Sequence, residues 1–143
     1  MTDLLDINVW LALADENHGH HSAAQHYWQN VAAASIAFCR VSMFGFLRLS
    51  THPNVLSRPL RPADAWAIYQ QYRDEAGVGF LHESSATETA FRKLSCQPGF
   101  TLRLWTDAYL AGFALSAACR LVSFDADFAS YADLNFLHLS ALD

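Results

Sequence analysis

The chain has 143 residues, 52% hydrophobic and only 16% charged, which allows one domain with a real core and leaves no stretch polar enough to be disordered. Nine basic residues against fourteen acidic ones give a formal charge of −5. That excludes a protein that coats RNA or DNA by bulk basic charge, but not an enzyme that meets phosphate through a metal ion, whose site must itself be acidic.

In chain order, TDLLD (Thr2–Asp6) reads as a first strand and VWLALAD (Val9–Asp15) as an apolar helix ending at Asn17-His18-Gly19. HSAAQHYWQNVAAA (His21–Ala34) is an amphipathic helix, SIAFC (Ser35–Cys39) a second strand and SMFGFLRLST (Ser42–Thr51) a helix. HPNVLSRP follows as a loop enforced by Pro53 and Pro59. RPADAWAIYQQYRDEAG starts a helix with Pro62 in its first turn and stops at Gly77. VGFLH (Val78–His82) is a third strand, TETAFRKLS (Thr87–Ser95) a helix and CQPGFT a loop. LWTDAYLAGFALSAA (Leu104–Ala118) is a helix of strong period, and the strands RLVSF (Arg120–Phe124) and NFLHL (Asn135–Leu139) close the chain. Strands alternating with helices predict a mostly parallel α/β sheet covered on both faces, with sites at the carboxyl ends of its strands.

No apolar run reaches the ~20 residues of a membrane span, and the opening MTDLLDINVW lacks a basic n-region, so neither a membrane segment nor a secretory signal is expected. Cys39, Cys96 and Cys119 include no C-x-x-C pair. The expected location is the cytoplasm, where thiols stay reduced.

Four aspartates stand out by placement: Asp6, Asp107, Asp125 and Asp127. Asp6 and Asp125 end apolar strands. Asp107 opens the most apolar helix in the chain, where a lone carboxylate is expensive to bury and demands a raised pKa or a cation. Arg103 and Arg120 are the only cations near it in sequence. A divalent metal satisfies all these carboxylates together, because Mg²⁺ and Mn²⁺ take hard oxygen ligands and can activate a water for attack on a phosphodiester. Helix caps, turns and surface acids account for the same four residues equally well.

The remaining polar groups give weaker signals. His18, His20 and His21 lack the i, i+4 pair of a helical zinc site and have no Cys nearby, so they read as a polar loop entering a helix, with His20 or His21 as a possible substrate contact. Arg40, Arg48, Arg58 and Arg61 form one locally basic segment. Arg40 and Arg48 are placed to grip phosphates if their helix lies beside the acids; Arg48 pairing with a structural carboxylate is the alternative. Trp10, Trp28, Trp66 and Trp105 occupy apolar helical positions that suit a core or a dimer interface. Ser42, Ser50 and Ser123 have no G-x-S-x-G setting, and no Gly-rich phosphate loop is present.

The stretch LLDINVWLALADENHGHHSAAQHYW resembles the opening of PIN-domain ribonucleases, specifically the VapC-type toxins of bacterial toxin–antitoxin pairs. FCRVSMFGFLRLSTHP is similar to their second motif region, and WTDAYLAGFALSAACRLVSFDADF to their distal helix and the strand running into F-D-x-D-F. The resemblance spans nearly the whole chain in the right order. It implies a single PIN-like nuclease domain over residues 1–143, an α/β/α sandwich with a mostly parallel central sheet. By position, Asp6 matches the family's first metal-ligating acid, Asp107 the third and Asp125 the fourth. Asp127 matches the acid beside the last, and Asn8 the polar residue that orients the first. The resemblance further implies Mg²⁺-dependent endonucleolytic cleavage of cellular RNA such as transfer RNA, with Mn²⁺ as an alternative ion, a cognate VapB-like antitoxin and a homodimer.

One departure bears on activity. Gly45, in Phe44-Gly45-Phe46-Leu47-Arg48, stands where many PIN domains carry a metal-binding glutamate. The G-F-L-R pattern is similar to that of a subgroup of these toxins. Glu16 or Glu83 substitutes only if the fold brings it near. The alternative expectation is therefore a catalytically weak or inactive PIN-fold binding module.

Overall fold

A computed structural model describes residues 1–140. Its strands are β1 (Thr2–Leu5), β2 (Ser35–Phe38), β3 (Val78–Phe80), β4 (Arg120–Ser123) and β5 (Phe136–His138). The helices are α1 (Ile7–Ala14), α2 (His21–Asn30), α3 (Arg40–Ser50), α4 (Pro62–Asp74), α5 (Ser85–Ser95) and α6 (Trp105–Ala117). Short 3-10 turns run over Leu102–Leu104 and Ala126–Ser130.

The strands form one sheet in the order β3-β2-β1-β4-β5. All four pairings are parallel, so every helix is a crossover that must cover a face. One core holds Leu5, Trp10, Tyr27, Phe38, Phe46 and Val122 between the sheet and α1 to α4. The other holds Leu4, Leu110, Phe113, Leu121 and Phe128 under α6 and the last turn. Alternate residues of β1 and β4 serve opposite cores, as the two-residue repeat of a strand requires. Among the described residues, no helix is long and apolar enough to cross a membrane.

The predicted elements occur in the predicted order, and the corrections lie at their ends. β1 stops at Leu5 because Asp6 caps α1, its Oδ1 accepting the Ile7 N–H at 2.7 Å. β2 likewise ends at Phe38, since Cys39 and Ser42 form the cap of α3. The helix expected over His21–Ala34 ends at Asn30. There the Asp3 carboxylate takes the Ala33 N–H at 2.9 Å, and the backbone turns toward β2. α4 stops at Asp74 rather than Gly77. Gly77 has φ +84°, and a β-carbon there would meet the Ala34 carbonyl oxygen at 2.4 Å, so glycine alone makes this turn. Strands β3, β4 and β5 are each shorter than expected, and a 3-10 turn capped by Asp125 runs over Ala126–Ser130, in keeping with the turn and cap alternative for these aspartates.

In the parallel sheet, β1 is joined to β2 on one side and β4 on the other. The carboxyl ends of β1 and β4 therefore form the switch point at which such sheets open a crevice.

Candidate active site

Asp6 leaves β1 at this switch point with its side chain 7% exposed. Ile7 N–H holds Oδ1, and the Ser123 hydroxyl, from the end of β4, donates to Oδ2 at 2.7 Å. A hydroxyl has one proton and two lone pairs. With the proton on Asp6, the lone pairs of Ser123 accept the Asn8 amide at 3.3 Å and the Asp125 N–H at 2.9 Å. Ser123 thus ties together Asp6, Asn8 and Asp125. The Asn8 carbonyl oxygen faces the Phe124 N–H at 3.4 Å, which further fixes the backbone beside Asp125.

Asp125 has two local roles. Its Oδ1 accepts the Asp127 N–H at 2.9 Å and starts the 3-10 turn. Its carboxylate also lies near enough to Asp6 to raise that group's pKa, after burial, which is the larger cause. Asp107 enters from the first turn of α6. Its pKa is raised to about 7, by burial first and then by the charges of Asp6, Asp125 and Asp127, with Arg103 opposing the rise. Four carboxylates thus converge electrostatically on one rim, with Arg103 the one opposing cation among the described residues. Among the described residues, however, no three His, Cys, Asp or Glu side chains are gathered tightly enough to enclose an ion.

That arrangement fits a hard divalent cation held loosely. Mg²⁺ keeps several waters and uses one or two carboxylates plus substrate phosphate oxygens, so an open all-oxygen rim suits it better than a closed cage. Asp6, Asp107 and Asp125 are the side chains that would hold it.

The other predicted residues separate. Arg40 starts α3 at the carboxyl edge of β2 and lies 4.6 Å over the Phe80 ring. Arg48 is eight residues further along the helix, about 12 Å away at 1.5 Å per residue. It lines an apolar groove with Phe44 and Trp66 instead of approaching the acids. Glu16 follows the far end of α1, and Glu83 accepts the Tyr109 hydroxyl. Gly45 is buried, and a β-carbon there would lie 2.2 Å from Ile7 Cδ1. The glycine therefore has a packing reason: it admits the side chain that follows Asp6. His21 bonds the Ala12 carbonyl, His18 accepts the His20 N–H, and His20 stacks on Phe124 at 4.4 Å. Trp10 is core, stacked on Phe38 at 3.9 Å. Trp66 and Trp105 are half exposed, so the core expectation fails for them.

Sequence reasoning weighed Ser123 only as a nucleophile and passed over Tyr131. Ser123 carried a signal: it is the polar residue two before Asp125, hence on the same face of the strand. Tyr131 lies near Asp107, Asp125 and Asp127, and its pKa is raised by burial and then by their charges. Nothing local marked it.

Residues 4–134 match the PIN domain family. Ribonuclease VapC41 of Mycobacterium tuberculosis is 34% identical over 137 residues, covering 92% of this chain and 94% of the relative. Ribonuclease VapC33 of the same organism is 30% identical over 133 residues, covering 92% and 93%. Among solved structures, M. tuberculosis VapC20, a toxin that cleaves the sarcin–ricin loop, superposes with TM-score 0.73 at 16% identity, over 93% of this chain and 97% of its own. VapBC2 of Rickettsia felis, bound to a DNA fragment from its promoter, superposes with TM-score 0.70 at 12% identity, over 96% and 98%. At these identities the two structures show a shared fold.

Proposed function

The chain belongs to the PIN domain family, within it to the VapC ribonucleases, and we propose that it is a Mg²⁺-dependent endoribonuclease toxin restrained by a cognate antitoxin. The observation that carries this reading is Asp6. It is a buried carboxylate with no cation partner among the described residues, oriented by Ser123 and Ile7 N–H, beside Asp125 and Asp107 at the switch point of the sheet.

In this reading Asp6, Asp107 and Asp125 bind the metal, and Mn²⁺ serves in place of Mg²⁺. The bound ion supplies charge for the phosphate oxygens and lowers the pKa of a water. The chain's own contribution is positional. Ser123 and Asn8 hold Asp6 and the Asp125 backbone in one frame, so the acids need no rearrangement when substrate arrives. Asp127 extends the acidic rim. Arg40, at the same sheet edge, is a contact for a flanking phosphate. Cellular RNA, including transfer RNA, is the proposed substrate, and a cytoplasmic homodimer the proposed form.

An antitoxin partner is supported by neighbours solved as VapBC pairs, among them VapBC2 of R. felis and VapBC-5 of M. tuberculosis, the latter a member of a family of toxin–antitoxin systems. The rival reading, a module without catalysis, rested on Gly45. The contact with Ile7 explains the glycine by packing, and the named relatives are ribonucleases, so the catalytic reading is favoured.

The test is incubation of antitoxin-free protein with total RNA in Mg²⁺, in Mn²⁺ and in chelator, beside Asp6→Asn. Discrete fragments that need metal and vanish in the variant are expected. Folded protein that cuts nothing with either ion would overturn the reading.

A further inference from the structure

Beside the acids lies a cleft of 550 Å³ between the α5–α6 connection and the turn after β4. Asp107 and Asp127 form its border with the acidic rim. Phe100 and Tyr131 supply aromatic walls, and Gln97 and Arg103 supply polar groups. We propose that this cleft is a subsite for one base of single-stranded RNA, next to the phosphate that is cut. The proposal rests on the RNA-cleaving reading of the adjacent acids.

The size and the chemistry agree. Ligand sites span about 300–1,000 Å³, so the cleft is large enough for a nucleotide. Base recognition in single strands combines an aromatic platform with hydrogen bonds to the base edge. Gln97 is exposed; its amide gives one N–H to the Lys93 carbonyl at 3.1 Å and keeps the second N–H and the carbonyl oxygen, a donor and an acceptor, for such an edge. Arg103 is also exposed and enters no ion pair among the described residues. Its planar guanidinium suits a phosphate oxygen pair or a base face.

The walls are ordered before any ligand arrives. Phe100 N–H bonds the Gln97 carbonyl at 3.2 Å, closing a Gln97-Pro98-Gly99-Phe100 turn. Proline followed by a glycine at φ +84° is the pattern of a type II turn, which holds one shape. The Phe100 ring then packs edge-on against Trp105, 4.8 Å between centroids, and Trp105 packs against Phe91 at 5.8 Å. Across the cleft, Tyr131 leans on the buried Phe128 at 5.9 Å. A base entering between these walls orders few side chains, which lowers the entropic cost of binding. An already unstacked base in a loop or single strand enters without breaking a helix.

The test measures binding apart from cleavage. Fluorescein-labelled single-stranded RNA of mixed sequence is titrated with protein in Ca²⁺, and anisotropy is recorded for wild type, Phe100→Ala, Phe100→Leu, Gln97→Ala and the distant control Arg61→Ala. Loss of the aromatic wall is expected to weaken binding about tenfold, with Arg61→Ala unchanged and duplex RNA binding more weakly than single strand. Phe100→Leu keeps an apolar packing group against Trp105, so its loss of binding separates stacking from folding. Mapping of 5′ ends in total RNA then reads specificity, and Gln97→Ala is expected to relax base preference at one position beside the cut. Wild-type affinity in both Phe100 variants, or equal affinity for duplex, overturns the subsite, as does a wild-type protein that binds no RNA. RNA binding that depends on Phe100 in a protein that cuts nothing upholds the cleft as a base-binding site and overturns the ribonuclease reading, and with it the placement beside a cut phosphate.

Discussion

Asp3 and Asp6 are both buried, at opposite ends of β1, and Arg120 pairs with the first alone. Arg120 gives Asp3 two hydrogen bonds, at 2.8 and 2.9 Å, and Tyr27 and the Ala33 N–H complete its shell. Asp6 has a hydroxyl, a backbone N–H and another carboxylate instead. One aspartate is a finished structural ion pair; the other is buried without a salt bridge among the described residues.

Asp3 therefore sets an acid limit to stability. Burial pushes its pKa up, but the Arg120 and Ala33 hydrogen bonds, with Tyr27, outweigh it and leave the pKa below the ordinary value. A depressed carboxylate stabilises the fold above its unfolded pKa of about 3.9 and loses that contribution as pH falls through the folded value. Thermal melts from pH 7 to 2 should show Tm falling below about pH 4. Asp3→Asn, which strands Arg120, should cost about 3 kcal/mol at neutral pH and flatten the acid limb. An unchanged Tm for the variant would contradict the assignment.

Ser123→Ala removes the proton donor to Asp6 and the acceptor of two N–H groups. A loss of about 1–3 kcal/mol in denaturant unfolding is expected from the groups left bare. RNA cleavage should fall roughly 10- to 100-fold, the range for residues that orient metal ligands. Ser123→Thr, which keeps the hydroxyl, should recover most of the activity; failure of that rescue would point to packing alone.

Asp107→Asn should act with opposite sign on stability and on function. In chelator the crowded carboxylates repel one another, so removing one charge should raise Tm. In wild type, Mg²⁺ should raise Tm by mass action, and that increment should shrink in the variant along with cleavage. Equal Mg²⁺ increments in both proteins would remove Asp107 from the metal set.

The Ile7–Gly45 contact makes a coupled pair. Gly45→Glu alone drives a side chain into Ile7 and should cost about 1–3 kcal/mol. Ile7→Ala leaves a small cavity on its own account and should relieve the clash in the double variant. A double-mutant cycle is expected to give a coupling of at least about 0.5 kcal/mol. Strict additivity would mean that α1 and α3 shift apart instead.

Much of this was legible in the chain. The order of strands and helices follows from local apolar period and from breakers such as Pro62 and Gly77, because each acts within a few residues. The corrections at Asp6, Cys39 and Asn30 come from caps and side-chain bonds that override propensity at element ends. Asp6 and Asp125 showed themselves as acids at strand ends. Asp107 showed itself as a charge in an apolar helix.

The sequence alone determined the parts and their order; only the tertiary structure decided which aspartate meets Arg120 and which meets Ser123. Both outcomes follow from one register. β4 lies parallel on β1 with Asp3 opposite Arg120 and Leu5 opposite Val122, which puts Arg120 against Asp3 and Ser123 against Asp6, each 117 residues apart in the chain. A slip by one residue would send every one of these side chains to the other face. The cleft beside Asp107 has the same origin, since Phe100 and Tyr131 meet across it only once α6 and β4 have packed. Such pairings are fixed by long-range burial, and no local pattern encodes them.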